Sequence, residues 1–408
     1  MKRRILASAG KAGKTSENNG TEQKPERLKS SRRKSIPLKP GDFALTALVM
    51  MLVIFGVIMV FSASYYYAIS KEGTPYYYLI RDIIWAVVGT AAMMFMAVFD
   101  YHKTQKMAIP VLGVVIVLLL LVFTPLGVTI NNATRWIGVG GATIMPGELA
   151  KPACILFVAA WLSHPRHSIR SFVRGVLPPL LVAGVAGVLI AMQPSTTTAA
   201  TLIIIVFGMM FIAGMSWAYV GGAFGLAIAA FAALIVTDDS GYRMKRILSF
   251  TDPFADPQGT GYQVVQSLLA LGSGGLTGVG LGKSMQKTLY LPEPQNDFIF
   301  SVIGEEFGFV GCVGVLALMF FIIIRCIMAA MDTDSMRERL IAVGVAGMLA
   351  FQTFVNVGVA TGIMPNTGMS LPFVSSGGSS LWTNMAAIGL VLNIKLRNSR
   401  TLFEGEYL

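Results

Sequence analysis

Ten apolar runs dominate the chain, at about residues 43–64, 80–99, 107–124, 144–162, 176–192, 196–214, 217–236, 298–324, 339–361 and 374–394. A helix needs roughly 20 mostly apolar residues to cross a bilayer. It satisfies its own backbone hydrogen bonds there, which lipid cannot do for it. The pattern predicts an all-α polytopic membrane protein of about ten transmembrane helices. Composition agrees, with 54% of the 408 residues apolar and 13% charged, where a soluble domain carries about 25%. An ordinary soluble enzyme and a disordered chain are excluded. So is a disulfide scaffold, because Cys154, Cys312 and Cys326 each lie inside an apolar run and read as small hydrophobes.

Residues 1–42 differ in kind. They carry twelve Lys/Arg against four acids, +8 of the net +11, and lack the apolar core of a signal peptide. They read as a basic, disordered cytoplasmic tail before a membrane domain at 43–396 and a short C-terminal tail at 397–408. An even number of spans puts both termini on one side. With that side cytoplasmic, 23 of the 32 Lys/Arg fall inside, as positive charge in membrane proteins does. Nine remain on the outer side, among them Arg81, Arg135, Lys151, Lys283 and Lys287. All three histidines fall in inner loops, so outer-face chemistry runs on carboxylates, Lys and Arg. One outer segment, 237–297 between the seventh and eighth spans, is too long for a simple connection. Within it Tyr262–Leu271 reads as an amphipathic or re-entrant helix, followed by a glycine-rich run to Gly282.

That run ends Gly282-Lys283-Ser284 but lacks the strand and the earlier glycine of a phosphate-binding P-loop. It reads as a tight glycine-permitted fold, with Lys283 still able to attract a phosphate. Asp297 stands at the mouth of the eighth span, either as a helix-start carboxylate or as a functional acid. Glu305 and Glu306, eight and nine residues further on, are expensive in an apolar helix and read as structural partners of a buried cation. By helical rise Glu305 is expected about 12 Å below Asp297. Glu148 and Lys151, three apart, share a helix face and can pair. Arg81, Arg135, Lys151 and Lys283 are the candidates for an outer basic pocket fitted to a lipid-linked phosphate or pyrophosphate. The competing reading has the arginines merely snorkelling to headgroups. The small residues of Gly362–Ser380 permit close helix packing or a narrow groove.

Together these segments resemble the SEDS family of shape, elongation, division and sporulation proteins. The stretches that carry the likeness are Arg135-Trp-Ile-Gly, Pro146-Gly-Glu-Leu-Ala-Lys151, Asp252-Pro-Phe, Gly261-Tyr-Gln-Val-Val-Gln-Ser267, Leu291-Pro-Glu-x-x-x-Asp-Phe-Ile-Phe300, Gly304-Glu-Glu-x-Gly308 and Leu371-Pro-Phe-x-Ser-x-Gly-Gly-Ser-Ser380. Septal members fit better than elongation members. The chain departs from the family's pattern at Gly147, Ser195 and Ser376. The resemblance implies a peptidoglycan glycosyltransferase of the inner membrane, acting at the division septum. Its substrate would be lipid II, the undecaprenyl-pyrophosphate-linked disaccharide peptide. Its partners would be a class B penicillin-binding protein and other divisome membrane proteins, with no nucleic acid.

By the resemblance, the essential acid falls on Asp297 and the cavity residues on Arg81, Arg135, Glu148 and Lys151. Gln266, Ser379, Glu305 and Glu306 are supporting residues and Lys283 a further phosphate contact. Asp297 would act as general base while the cations stabilise the departing pyrophosphate. A divalent cation, Mg or Mn, could share that work, although no dedicated ligand cluster is legible. Three rivals stay open, one of them an O-antigen-ligase-like transferase acting on another polyprenyl substrate. A lipid II flippase would line a polar route through the bundle. A non-enzymatic scaffold for the penicillin-binding protein would leave Asp297 without a role.

Overall fold

The computed structural model describes residues 42–130, 133–139, 142–222, 225, 252–259 and 261–405. The basic tail, most of the expected span 217–236 and the first part of the long outer segment lie outside these residues. The described helices are α1 (Phe43–Glu72), α2 (Tyr77–Val98), α3 (Tyr101–Leu121), α4 (Pro146–Leu162), α5 (Leu177–Met192), α6 (Thr196–Ile212), α7 (Tyr262–Gly274), α8 (Ile299–Met331), α9 (Met336–Ala360) and α10 (Gly378–Gly405). Five long apolar stretches, in α1, α2, α5 with the π-turn before it, α8 and α9, are fit to cross a membrane. α7 is the amphipathic helix that the sequence predicts, extended to Gly274.

The expectation of an all-α chain needs one correction. A three-stranded antiparallel sheet, β1 (Gly127–Ile130), β2 (Ala133–Val139) and β3 (Ala142–Ile144), links α3 to α4. Val128 pairs with Trp136, and Ile137 with Ile144. The segment is dense in Val, Ile and Thr, which suit a pleated surface, but its strands are too short to stand out beside 20-residue apolar runs.

Two charged layers mark the ends of the bundle. At the lower end Asp42 caps α1 by accepting from Leu45 N at 3.1 Å. Its carboxylate also takes Arg325 Nε from α8 at 3.0 Å and Lys395 Nζ from α10 at 2.9 Å. Arg397 of α10 lies 3.6 Å from Glu338 at the start of α9, so α10 meets the starts of both α1 and α9 here. At the upper end Lys287 Nζ pairs with Glu306 Oε1 at 2.6 Å, and Ser62 of α1 donates to the same carboxylate at 2.7 Å. From Asp42 to Ser62 is about 30 Å of helix, which matches a hydrocarbon core of about 30 Å. Tyr65, Tyr66, Tyr67, Tyr76, Tyr77 and Tyr78 cluster just above Ser62, where interfacial aromatic belts sit.

α8 is not one rod. Gly308 has φ 67° and ψ −163°, a conformation open essentially to glycine alone. The break frees carbonyls at 305 and 306 and amides at 309 and 310, and the glycine run after α7 satisfies all four. Val279 N and Gly280 N donate to Glu305 O and Glu306 O, while Phe309 N and Val310 N donate to Gly275 O and Leu276 O. Beyond the break, residues 299–307 run across the bundle mouth. Asn356 of α9 holds Asp297 O, Ser267 links Ser301 to Ala360 O, and Ser62 holds Glu306. Asp297 is thus tied to α9 and Glu306 to α1.

α2 and α10 pack in parallel through glycines. Gly89 lies against Met385, and Gly389 lies against Met93 O. Asn393 donates to Ala97 O at 2.8 Å. This register sets the starts of α2 and α10 side by side.

Burial opposes ionisation of Asp42, but hydrogen bonds from Arg325, Lys395 and Leu45 N outweigh it and hold its pKa below the ordinary 3.8. Its ion pairs therefore stabilise the fold above that pH and fail as pH drops through the lower native value. Asp42→Asn keeps a good cap and removes the charge. In detergent it should lower stability by about 1–3 kcal/mol at neutral pH, with the gap to wild type closing toward the acid limb of a thermal-melt series.

Candidate active site

The upper end gathers the starts of alternate helices. Arg81, in the first turns of α2, donates Nη2 to Thr143 Oγ1 of β3 at 3.0 Å. Met145 N, at the start of α4, donates to Ser379 Oγ of α10 at 2.9 Å. Ser380 next to it accepts from Ser370 Oγ at 3.1 Å. The loop 362–377 then runs back to α6 and α8. Thr197 Oγ1 donates to Thr367 O at 3.4 Å, and a Cβ on Gly368 would stand 3.5 Å from Asp297 Oδ2. Among the described residues, the N-terminal ends of α2, α4, α6, α8 and α10 are thus joined around one mouth. Each helix start carries a partial positive charge of about half an electron, so the mouth favours an anion.

Asp297 sits in the turn before α8 and is half-buried, with Phe298 and Ile299 buried behind it. Asn356 Nδ2 fixes its carbonyl at 3.0 Å. The carboxylate faces Gly368, whose φ of 68° keeps that side clear of a side chain. Glu148 and Lys151 form a buried ion pair at 2.8 Å. Lys151 is only 2% exposed and lies about 9 Å along α4 from Met145, so the pair lines the wall below the mouth. A Cβ on Gly147 would come within 3.4 Å of Thr198, which keeps α4 close to the start of α6.

The predicted basic pocket is assembled only in part. Arg81 and Lys151 reach the mouth from α2 and α4. Arg135, carried by β2, donates Nε to Gln193 O at 3.2 Å and a second bond to Pro194 O, so it braces the α5–α6 corner. Gln193 in turn donates to Leu119 O at 2.9 Å. Lys283 does not join them. It is exposed on the glycine loop, and its ammonium makes no hydrogen bond or ion pair among the described residues. The neighbouring Ser284 ties that loop to Glu305. The expectation of a buried cation holds for Glu306, whose partner is Lys287. Glu305 differs, accepting from Ser284 Oγ and from Met285 N at 2.8 Å. Gln266 is half-buried on α7 beside the Ser267 knot, and Ser379 holds the start of α4.

A family model described as cell cycle protein, for FtsW, RodA and SpoVE, matches residues 43–400. The chain belongs to the FtsW/RodA/SpoVE family. It is 38% identical over 357 residues to the probable peptidoglycan glycosyltransferase FtsW of Geobacter sp. (strain M18), covering 87% of this chain and 97% of the relative. It is 38% identical over 354 residues to stage V sporulation protein E of Bacillus subtilis (strain 168), covering 86% and 96%. A solved structure on the coordination of polymerization and crosslinking by a peptidoglycan synthase complex superposes with TM-score 0.73 and 32% identity, over 88% of this chain and 98% of that one. The rod shape determining protein RodA of Thermus thermophilus gives TM-score 0.64 and 30% identity, over 87% and 96%.

In this FtsW/RodA/SpoVE chain, sequence reasoning missed two buried groups that shape the site. In sequence Lys287 reads only as one of nine outer cations, because its partner Glu306 lies 19 residues further on. Asn356 was missed although Gln352 and Asn356 form a polar i, i+4 pair inside an apolar span, a legible signal of an inward face.

Lys287→Met would leave Glu306, 1% exposed, without its counter-charge. The expected cost is about 3–5 kcal/mol, read as a lower melting temperature in detergent. Adding Glu306→Gln should recover most of it, since a neutral amide still bonds Ser62.

Proposed function

We propose that this protein polymerises lipid II into glycan strands at the outer face of the cytoplasmic membrane. It is a peptidoglycan glycosyltransferase of cell division. The observation that carries this reading is a carboxylate, Asp297, on the rim of a mouth ringed by helix N-termini and basic side chains. The lower end is cytoplasmic, because it holds the Lys/Arg-rich connections, and the mouth then faces out.

The acceptor is the GlcNAc 4-hydroxyl of one lipid-linked saccharide, and the donor is the anomeric carbon of another. As the hydroxyl oxygen bonds that carbon, Asp297 takes its proton and the bond to the pyrophosphate oxygen breaks. Undecaprenyl pyrophosphate leaves with the electron pair. Arg81 and Lys151, with the helix starts, meet the charge that develops on it. Glu148 holds the Lys151 ammonium in place at 2.8 Å in a largely apolar wall. Arg135 acts from one step back by holding the Gln193–Pro194 corner that feeds α6. Among the described residues no group of three or more His, Cys, Asp or Glu is placed to hold a metal ion. A divalent cation, Mg or Mn, would add positive charge opposite the departing pyrophosphate beside Arg81 and Lys151. A class B penicillin-binding protein is the proposed partner, at the division septum. The likeness to a complex that couples polymerization with crosslinking supports it.

Two measurements test this reading. Impermeant thiol labelling of single cysteines in spheroplasts should mark position 71 and not position 170 before lysis, and the reverse would invert the topology. Asp297→Asn should fold and retain lipid II binding. Its polymerisation of labelled lipid II, assayed with the partner, should fall to about 1% of wild type or less. Synthesis near the wild-type rate would remove Asp297 as base.

A further inference from the structure

Asn356 is 1% exposed on α9, in a span where a polar side chain is costly unless it is bonded. Its amide nitrogen donates to two main-chain carbonyls, Asp297 O at 3.0 Å and Met369 O at 2.7 Å. That spends both N–H donors, and it fixes the amide's orientation, since the flipped form would set oxygen against two carbonyl oxygens. The two acceptors belong to the two loops that frame the mouth, one leading into α8 and the other into α10. Ser376 N donates to Gln295 O at 2.9 Å and ties the same loops a second time. Between these ties Gly368 stands against the carboxylate of Asp297. The foot of the clamp is firm, because Ser267 and Ser301 anchor the end of α9 through Ala360 O.

We infer that Asn356 is a positioning residue for the glycosyl transfer. It sets the height of Asp297 and its distance from the Gly368–Met369 strip by holding one carbonyl of each. The inference rests on Asp297 being the base. Asn356 itself touches neither substrate nor proton. Its removal should let the Asp297 turn drift from the loop before α10 while leaving Arg81, Lys151 and the helix starts in place. A shift of about 1 Å at a reacting group costs up to about 100-fold in rate.

The test uses the full chain in detergent or nanodiscs with its penicillin-binding partner and labelled lipid II. Asn356→Ala, and Asn356→Ser whose hydroxyl keeps the site polar but cannot span both carbonyls, should lower kcat about 10–100-fold. KM for lipid II, the melting temperature and partner binding should stay near wild type. A raised KM with unchanged kcat would overturn the proposal. So would activity that falls only with the folded fraction, or failure of both variants to fold, since each marks a strut and not a positioner. Asp297→Asn measured alongside separates the two readings. If it polymerises normally, the base assignment fails and takes this one with it. If it is inactive while both Asn356 variants match wild type, only the positioning role falls.

Discussion

Charge has two tolerable places in a bilayer-spanning bundle, the edges of the hydrocarbon and the inside of a fully paired cluster. This chain uses both. Asp42 with Arg325 and Lys395 closes one edge, and Lys287 with Glu306 closes the other, about 30 Å of helix away. Everything that bears on chemistry is placed relative to these layers. Because Lys287 is fixed to Glu306, the chain from Ser284 to Asp297 starts at a fixed height. Because α8 breaks at Gly308, the chain then turns across the mouth instead of rising away from it.

The mouth follows from antiparallel threading and from small residues. Alternate helices begin at the same end, so their positive poles add there without any cluster of basic side chains in sequence. Gly89 and Gly389 bring α2 and α10 close enough to set Arg81, Thr143, Met145 and Ser379 in one chain of contacts. The sheet between α3 and α4 delivers Arg135 to a corner and leaves the mouth to Arg81 and Lys151. The Glu148–Lys151 pair puts a charged group on an apolar wall at a tolerable cost, because each member neutralises the other.

Most of the helical plan was legible because a membrane span is written in a single variable, apolar length. The boundaries of α4, α5 and α6 fall within two residues of the expected runs for that reason. Asp297, Glu148 and Lys151 were legible because a charge beside an apolar run stands out. Three things were not. The break at Gly308 lies in a run whose hydropathy never drops, and only its pairing with the glycine loop reveals it. Lys283 and Lys287 look equivalent in sequence, yet one is exposed and the other buried, which depends on the turn between them. The β-sheet is local structure of ordinary propensity beside a much stronger signal.

The parallel pairing of α2 with α10 also bears on how the molecule is made. Helices enter the membrane in chain order, and α2 is inserted about 300 residues before its main neighbour is complete. Until α10 arrives, Gly89 has nothing to pack against, Met145 N lacks Ser379, and the loop bearing Gly368 and Met369 is not yet anchored at its far end. A nascent chain that has already folded the described helices α1 to α9 thus still has no closed mouth. Among the described helices the last in the chain completes the mouth, so a ribosome that stops early leaves a membrane protein without it.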